Sequence, residues 1–175
     1  MHNKENQRIA LSRKMLQGAL LRLLERKNID EIKIVELCKE AELNRSTFYR
    51  LYSIPSEVQK EIIENIITEV YITISKKEDK FKYIYDYISS HRNLLSVLVR
   101  NLDDYFLSIL ENKYYLFLKK DCVLDVSEEQ LRYTCTFQVA GFLAILKRFL
   151  ASEKTPTPEE ITAILKFHLI ASNLH

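Results

Sequence analysis

Apolar residues in this 175-residue chain recur at steps of three and four, the period of a helix with one buried face. Leu16, Ala19, Leu20, Leu23 and Leu24 keep that step and predict a first helix from Arg8 to Lys27. Ile34, Leu37, Cys38 and Ala41 repeat it in a second, short helix. Asn44 then stands at an N-cap position, where its side chain can accept from a free amide, and opens a third helix from Arg45 to Tyr52. Ser53, Ile54 and Pro55 break the chain. Ser56 and Gln59 have capping-box spacing and open a fourth helix, whose apolar row runs through Val58, Ile62, Ile66, Val70 and Ile74. After a charged joint, the alternating aromatics of 81–88 fit a strand, while Phe81, Ile84, Tyr85 and Ile88 fit a helix face. A lone strand would find nothing to pair with, so a helix is expected. Further helices are expected over 92–101, 104–120, 127–152 and 157–172. Ser127 with Gln130, and Thr157 with Glu160, supply the capping boxes of the last two, and Pro158 sits at a first helical position. The fold class is therefore all-α, with about nine helices.

Composition agrees with long helices, since only two glycines and three prolines occur. A hydrophobic content of 47% is enough for a core. The longest clean apolar run, Val139 to Leu146, is far shorter than the roughly 18 residues of a membrane span, so none is expected. The opening residues lack an apolar signal region, and Cys38, Cys122 and Cys135 are odd in number and widely spaced. A cytoplasmic location without disulfides or a zinc site is expected. The net charge of +2 hides an asymmetry: residues 1–52 carry eleven Lys/Arg and seven Asp/Glu, and the rest carry fifteen and seventeen. Only the front is expected to meet a polyanion.

The sharpest chemistry lies in 32–52, two short helices joined by a tight turn. A helix-turn-helix lays its second helix in the major groove with the amino-terminal residues nearest the bases. Here those are Arg45, Ser46 and Thr47: arginine can pair with a guanine edge, and the hydroxyls with several edges. Tyr49 and Arg50 lie on the same outward side for phosphates, and Asn44 stands at the entry. Lys33 heads the second helix, where free amides favour a phosphate. Phe48 and Tyr52, four apart, are expected to turn inward onto Leu37, Leu43 and the first helix. Short capped helix pairs also occur in all-α proteins that bind nothing, so the pattern alone leaves both readings open.

From Arg8 to about Val58 the residues themselves resemble the amino-terminal domain of the TetR/AcrR family of transcription regulators. The resemblance is carried by the long first helix, by Ile34 to Ala41, and by Asn44-Arg45-Ser46-Thr47-Phe48-Tyr49-Arg50, with Thr47-Phe48-Tyr49 its most specific unit. The wording is most similar to the branch grouped with dihydroxyacetone-kinase regulators. The resemblance implies a helix-turn-helix DNA-binding domain over 1–55 and a helical ligand-binding and dimerisation domain over 56–175. It implies a dimeric regulator, a repressor by family habit, that binds double-stranded DNA at a palindromic operator and responds to a small molecule. Tyr49 would hold a phosphate. Three positions depart from the pattern. Glu42 stands where glycine is usual, and a left-handed backbone there would cost it about 1 kcal/mol, so a slightly altered turn is expected. Leu51 replaces a histidine and Pro55 a lysine, which removes two expected phosphate contacts.

The back of the chain is read as a dimer interface and a ligand site. The helix of 127–152 is apolar almost all round and is expected to be buried on several sides, with Ala140, Gly141 and Ala144 small enough for another backbone to approach. Leu165 and His168 of the last helix complete the expected homodimer interface. Tyr83, Tyr87, Tyr105, Phe106, Tyr133 and Phe137 are the candidate walls of a pocket for a small apolar or aromatic ligand. The four histidines are isolated and no catalytic constellation appears, so neither an enzyme, a metal nor a cofactor is expected. The alternative is a co-regulator on the same fold that binds another protein rather than DNA, a role that Leu51 and Pro55 favour.

Overall fold

The computed structural model describes residues 2–74, 78–102, 104–121, 126–153, 156–157, 159–161 and 163, without the side chains of 2–4, 81, 104–105 and 120–121. Among these the chain is all-α: α1 (His2–Leu24), α2 (Ile34–Glu40), α3 (Arg45–Leu51), α4 (Pro55–Ile74), α5 (Lys80–Ser90), α6 (Arg92–Arg100), α7 (Asp104–Asp121) and α8 (Glu128–Ala151). A 3-10 turn, Ile29–Glu31, links α1 to α2 and has no apolar period that a sequence reading could detect. By compactness the chain divides after Asn101, not at the 55/56 boundary read from the sequence. The functional division at 55 remains a proposal.

The first unit is built on α1. Leu16, Ala19, Leu20 and Leu24 are completely buried, and they pack with Leu37 and Cys38 of α2, Phe48 of α3 and Val58 of α4. The carboxy-terminal end of α6 closes this unit through polar contacts. Asn101 accepts from the Ile29 amide through Oδ1 at 3.2 Å, donates from Nδ2 to the Val97 carbonyl at 2.8 Å, and offers its own carbonyl to Gln59 Nε2 at 3.2 Å. Arg100 donates to the Leu24 carbonyl at 3.0 Å. These bonds tie α4 and the end of α6 to the rest of the first unit. They also correct the sequence reading of Gln59 as a capping residue. Gln59 is fully buried, and its Oε1 has no partner. The start of α4 is instead set by Pro55, whose missing N–H costs nothing in a first turn. The Glu57 carboxylate takes the Ser53 amide at 2.6 Å.

The turn between α2 and α3 keeps the glycine conformation without the glycine. Glu42 has φ 54°, the one positive value among the described residues. Leu43 N–H bonds the Cys38 carbonyl at 2.9 Å and Glu42 N–H the Lys39 carbonyl at 3.2 Å, the paired bonds of a Schellman cap. The turn is therefore not altered as expected; the two bonds hold it and the residue carries the strain. Asn44 occupies the N-cap of α3 with extended backbone, but its side chain makes no cap bond, contrary to the sequence reading.

In the second unit α7 packs on α8, with Tyr115, Leu131 and Cys135 at the centre and Tyr114 and Leu118 beside them. The Ser127/Gln130 capping box that opens α8 is formed in both directions, at 2.8 and 3.1 Å. Thr157 and Glu160 form theirs at 2.8 and 3.3 Å, so the last helix starts where the sequence placed it, though most of it lies outside the described residues. One expectation is corrected. Among the described residues the buried positions of α8 form one stripe, Leu131, Cys135, Val139, Leu143, Leu146 and Phe149, and do not lie on several sides. By length and composition alone α8 is also apolar enough to cross a membrane, which the short apolar run had not suggested.

Replacing Glu42 by glycine should relieve the left-handed strain and raise the stability of the first unit by about 1 kcal/mol, read as a higher urea midpoint at unchanged m. A lower midpoint would show that the glutamate contributes more than the backbone loses.

Candidate nucleic-acid interface

α3 has seven residues and divides cleanly. Phe48 is completely buried and Tyr52, just past the helix end, is nearly so. Their rings lie 5.9 Å apart, which bears out the inward placement of both. The opposite side is open: Arg45, Ser46 and Arg50 are exposed, Tyr49 is 54% exposed, and Thr47 is half-buried. The Arg45 guanidinium lies 6.0 Å from the Tyr49 ring centroid, one turn on, and the Tyr49 hydroxyl holds the already high arginine pKa up further. Asn44 is exposed at the entry to α3 and Lys33 at the entry to α2. Leu51 is half-buried, as an apolar residue at the edge of the core should be.

Two groups of polar contacts brace the helices behind this face. At the carboxy end of α3, the Tyr52 hydroxyl donates to Glu61 Oε2 of α4 at 2.8 Å. Arg13 of α1 bonds the same carboxylate and reaches the tyrosine oxygen at 3.3 Å, and Gln17 donates to Glu61 Oε1 at 3.3 Å. Burial, and then the adjacent Glu61 carboxylate, push the Tyr52 hydroxyl up to about 12. On α2, Glu40 accepts from Arg22 Nε at 2.6 Å, which with Arg26 holds its carboxyl below the usual range, and Glu36 pairs with Lys27 at 2.7 Å. Beneath α3, burial pushes the Cys38 thiol up while the nearby Arg45 charge pulls it down.

Two sets stand out among the cations around the helix-turn-helix. Arg13, Arg22, Arg26, Lys27 and Arg100 are tied to other helices and brace the fold. Lys33, Lys39 and Arg50 have exposed side chains with no bonded partner. Lys39 was missed by the sequence reading, which followed α3; its solvent-side position on α2, four after exposed Val35, was the available signal. The Arg13–Tyr52–Glu61 node was missed too, since nothing local couples residues 48 apart.

The six aromatic residues read as pocket walls do not come together in one unit. Tyr83 and Tyr87 are half-buried on α5, with rings 6.2 Å apart and Tyr87 stacked on His91 at 4.3 Å. Phe106 is buried in the second unit, and the Tyr105 side chain lies outside the described residues. Tyr133 and Phe137 are 71% and 65% exposed and enclose nothing within their own unit. Instead they share a stripe with Ala140, Gly141 and Ala144, at i, i+4, i+7, i+8 and i+11, on the side of α8 opposite its buried row. A Cβ added at Gly141 would meet nothing within 4 Å. Leu165 and His168 lie outside the described residues.

A short, anchored, cationic helix after a tight turn gives α2 and α3 the geometry of a helix-turn-helix. Residues 77–169 match the family model described as the transcriptional regulator C-terminal region of TetR proteins, just over half of the chain. The chain belongs to the TetR family of transcriptional regulators. It is also similar in structure to a TetR transcriptional regulator from Streptococcus agalactiae 2603V. The TM-score is 0.67 over 98% of each chain, and at 22% identity the likeness speaks for the fold. No curated protein matches.

The Tyr52 hydroxyl gives a stability signature. Between about pH 10 and pH 12 the unfolded chain has released this proton and the folded chain has not, so the folded state holds more protons and stability must fall as pH rises. Urea midpoints measured across that interval should fall more steeply for wild type than for Tyr52→Phe. Parallel slopes would mean that the hydroxyl is not held as described.

Proposed function

We propose that this TetR-family regulator binds double-stranded DNA as a homodimer, with α3 in the major groove. The observation that carries the reading is the division of α3: Phe48 and Tyr52 are locked inside while Arg45, Ser46, Tyr49 and Arg50 stand in solvent. Arg45 and Ser46, with Thr47 behind them, are assigned to base edges. Asn44, Tyr49, Arg50 and Lys33 are assigned to phosphates, and Lys39 joins them as a free cation. A palindromic operator follows from two-fold symmetry, which would set two copies of α3 roughly 34 Å apart. Repression and a cytoplasmic location are part of the proposal through the family.

The dimer is assigned to the open stripe of α8. An apolar face carrying Tyr133 and Phe137 in solvent is costly for a single chain, and Ala140, Gly141 and Ala144 let a second helix approach closely. Leu165 and His168 are proposed to extend it. This use of α8 also accounts for its apolar composition without a membrane. Response to a small apolar or aromatic ligand is kept in the proposal, supported by the half-buried aromatic row Tyr83 and Tyr87; Tyr105 and Phe106 remain candidates. No catalytic step is assigned. The alternative, a co-regulator acting through protein contact, is favoured by Leu51 and Pro55, which remove two cationic or polar groups from the DNA-facing region.

In a shift assay on the upstream region of its own gene, Arg45→Ala should weaken binding by about 5- to 150-fold, the range of about one to three kcal/mol per good base contact, and Tyr49→Ala should weaken it too. Binding should also weaken steeply as salt rises, because phosphate contacts release counterions. Salt-insensitive association that both variants leave intact would favour the protein-partner reading. Gly141→Trp should leave the helical content intact, since its surroundings are empty in one chain, yet shift the protein to monomer by light scattering. A wild-type monomer at micromolar concentration would overturn the dimer.

A further inference from the structure

Glu42 sits in the turn that delivers α3, and its position is difficult to explain by folding alone. The backbone there is left-handed at φ 54°, a conformation that glycine takes without strain. The side chain is exposed and bonded to nothing, so it returns no contact for that strain. The other two acids between Ile32 and Tyr52 behave differently: Glu36 is bound by Lys27 and Glu40 by Arg22. Glu42 is thus the one uncompensated carboxylate of the helix-turn-helix. It is held in place by the two bonds of the Schellman cap, from Leu43 N–H to Cys38 and from its own N–H to Lys39. Arg45 follows it by three positions, so their Cα atoms lie at most about 11 Å apart, close to one Debye length at about 0.1 M salt. Lys39, also exposed, precedes it by three residues on the outer side of α2.

We propose that Glu42 limits the DNA affinity of this interface, acting as a fixed negative charge that opposes the phosphate backbone and offsets part of the attraction from Lys39 and Arg45. This rests on the DNA-binding reading above and deepens it. Because the carboxylate acts on phosphates and not on base edges, it lowers affinity for operator and unrelated DNA alike. It lets the protein leave bulk DNA readily. The strain at φ 54° is then a cost carried by the turn for a function of the side chain.

The test compares the full-length wild type with Glu42→Gln, Glu42→Asp and Glu42→Gly, using a duplex of the upstream region of its own gene and an unrelated duplex of equal length, across a salt series. Glu42→Gln removes the charge and keeps the backbone strain. It should bind both duplexes about two- to tenfold more tightly at low salt, with a steeper dependence on salt and a gain that shrinks as ionic strength rises. Glu42→Asp keeps the charge and should bind like wild type. Tighter binding by Glu42→Gly while Glu42→Gln stays unchanged would place the effect in the backbone and overturn the proposal. Wild-type binding that Arg45→Ala abolishes and Glu42→Gln does not improve would overturn the charge role and leave the DNA reading standing. If neither wild type nor Glu42→Gln binds either duplex, the DNA reading fails and the proposal fails with it.

Discussion

Seven residues make about two turns of helix, too few to persist in water unaided. Everything assigned to α3 therefore depends on what holds it from behind. Phe48 supplies the apolar part, completely buried on the helix that packs against α1 and α2. Tyr52 supplies the directional part: its ring packs on Phe48 while its hydroxyl reaches the Glu61 carboxylate that Arg13 and Gln17 also engage. Apolar burial alone would leave a short helix free to rotate or slide in its seat, because burial is not directional. The bonds converging on Glu61 from α1 and from the end of α3 fix the rotation. The outward residues can present a reproducible pattern only because of that.

The same division of labour explains the charges. In the first unit Arg13, Arg22, Arg26, Lys27 and Arg100 are spent on structure, bridging α1 to α2 and α4 and the end of α6 to α1. The partly exposed pairs contribute modestly to stability, since solvent screens them. Their larger effect is on the electrostatics of the surface: Glu36, Glu40 and Glu61 are neutralised locally by Lys27, Arg22 and Arg13. The field near α3 is then set by the few groups left unpaired, Lys33, Lys39, Arg45 and Arg50 against Glu42. A net charge of +2 for the whole chain conveys none of this.

Much of the fold was legible because it follows from a period. The helices were recoverable from apolar spacing and from Ser127 and Thr157 caps, which are local signals. The failures were nonlocal or three-dimensional. Gln59 fits a capping box by spacing, but its neighbour in space is Asn101, 42 residues away, and burial decided its role. Asn44 has the right residue type for a cap, yet its side chain stays outside. The left-handed turn at Glu42 was anticipated from the resemblance and was found without the expected alteration, since hydrogen bonds fix its backbone. The outward face of α3 was legible for the same reason as the helix. Lys39 and the Glu61 node were not, because no sequence rule couples them to α3.

The helix α8 shows most plainly what a single sequence can and cannot convey. Its residues are apolar around most of the circumference, which the sequence reading took as burial on several sides. Among the described residues only the stripe through Leu131, Cys135 and Leu146 is covered. The other side, from Tyr133 to Ala144, has the composition of a core and the exposure of a surface. Periodicity reports that a face wants to be covered and is silent on whether the cover belongs to the same chain. Two such faces related by a two-fold axis would cover each other, and in the proposed dimer the same axis would pair two copies of α3, so that the feature that looks surplus in one chain would give the proposed recognition helix its partner.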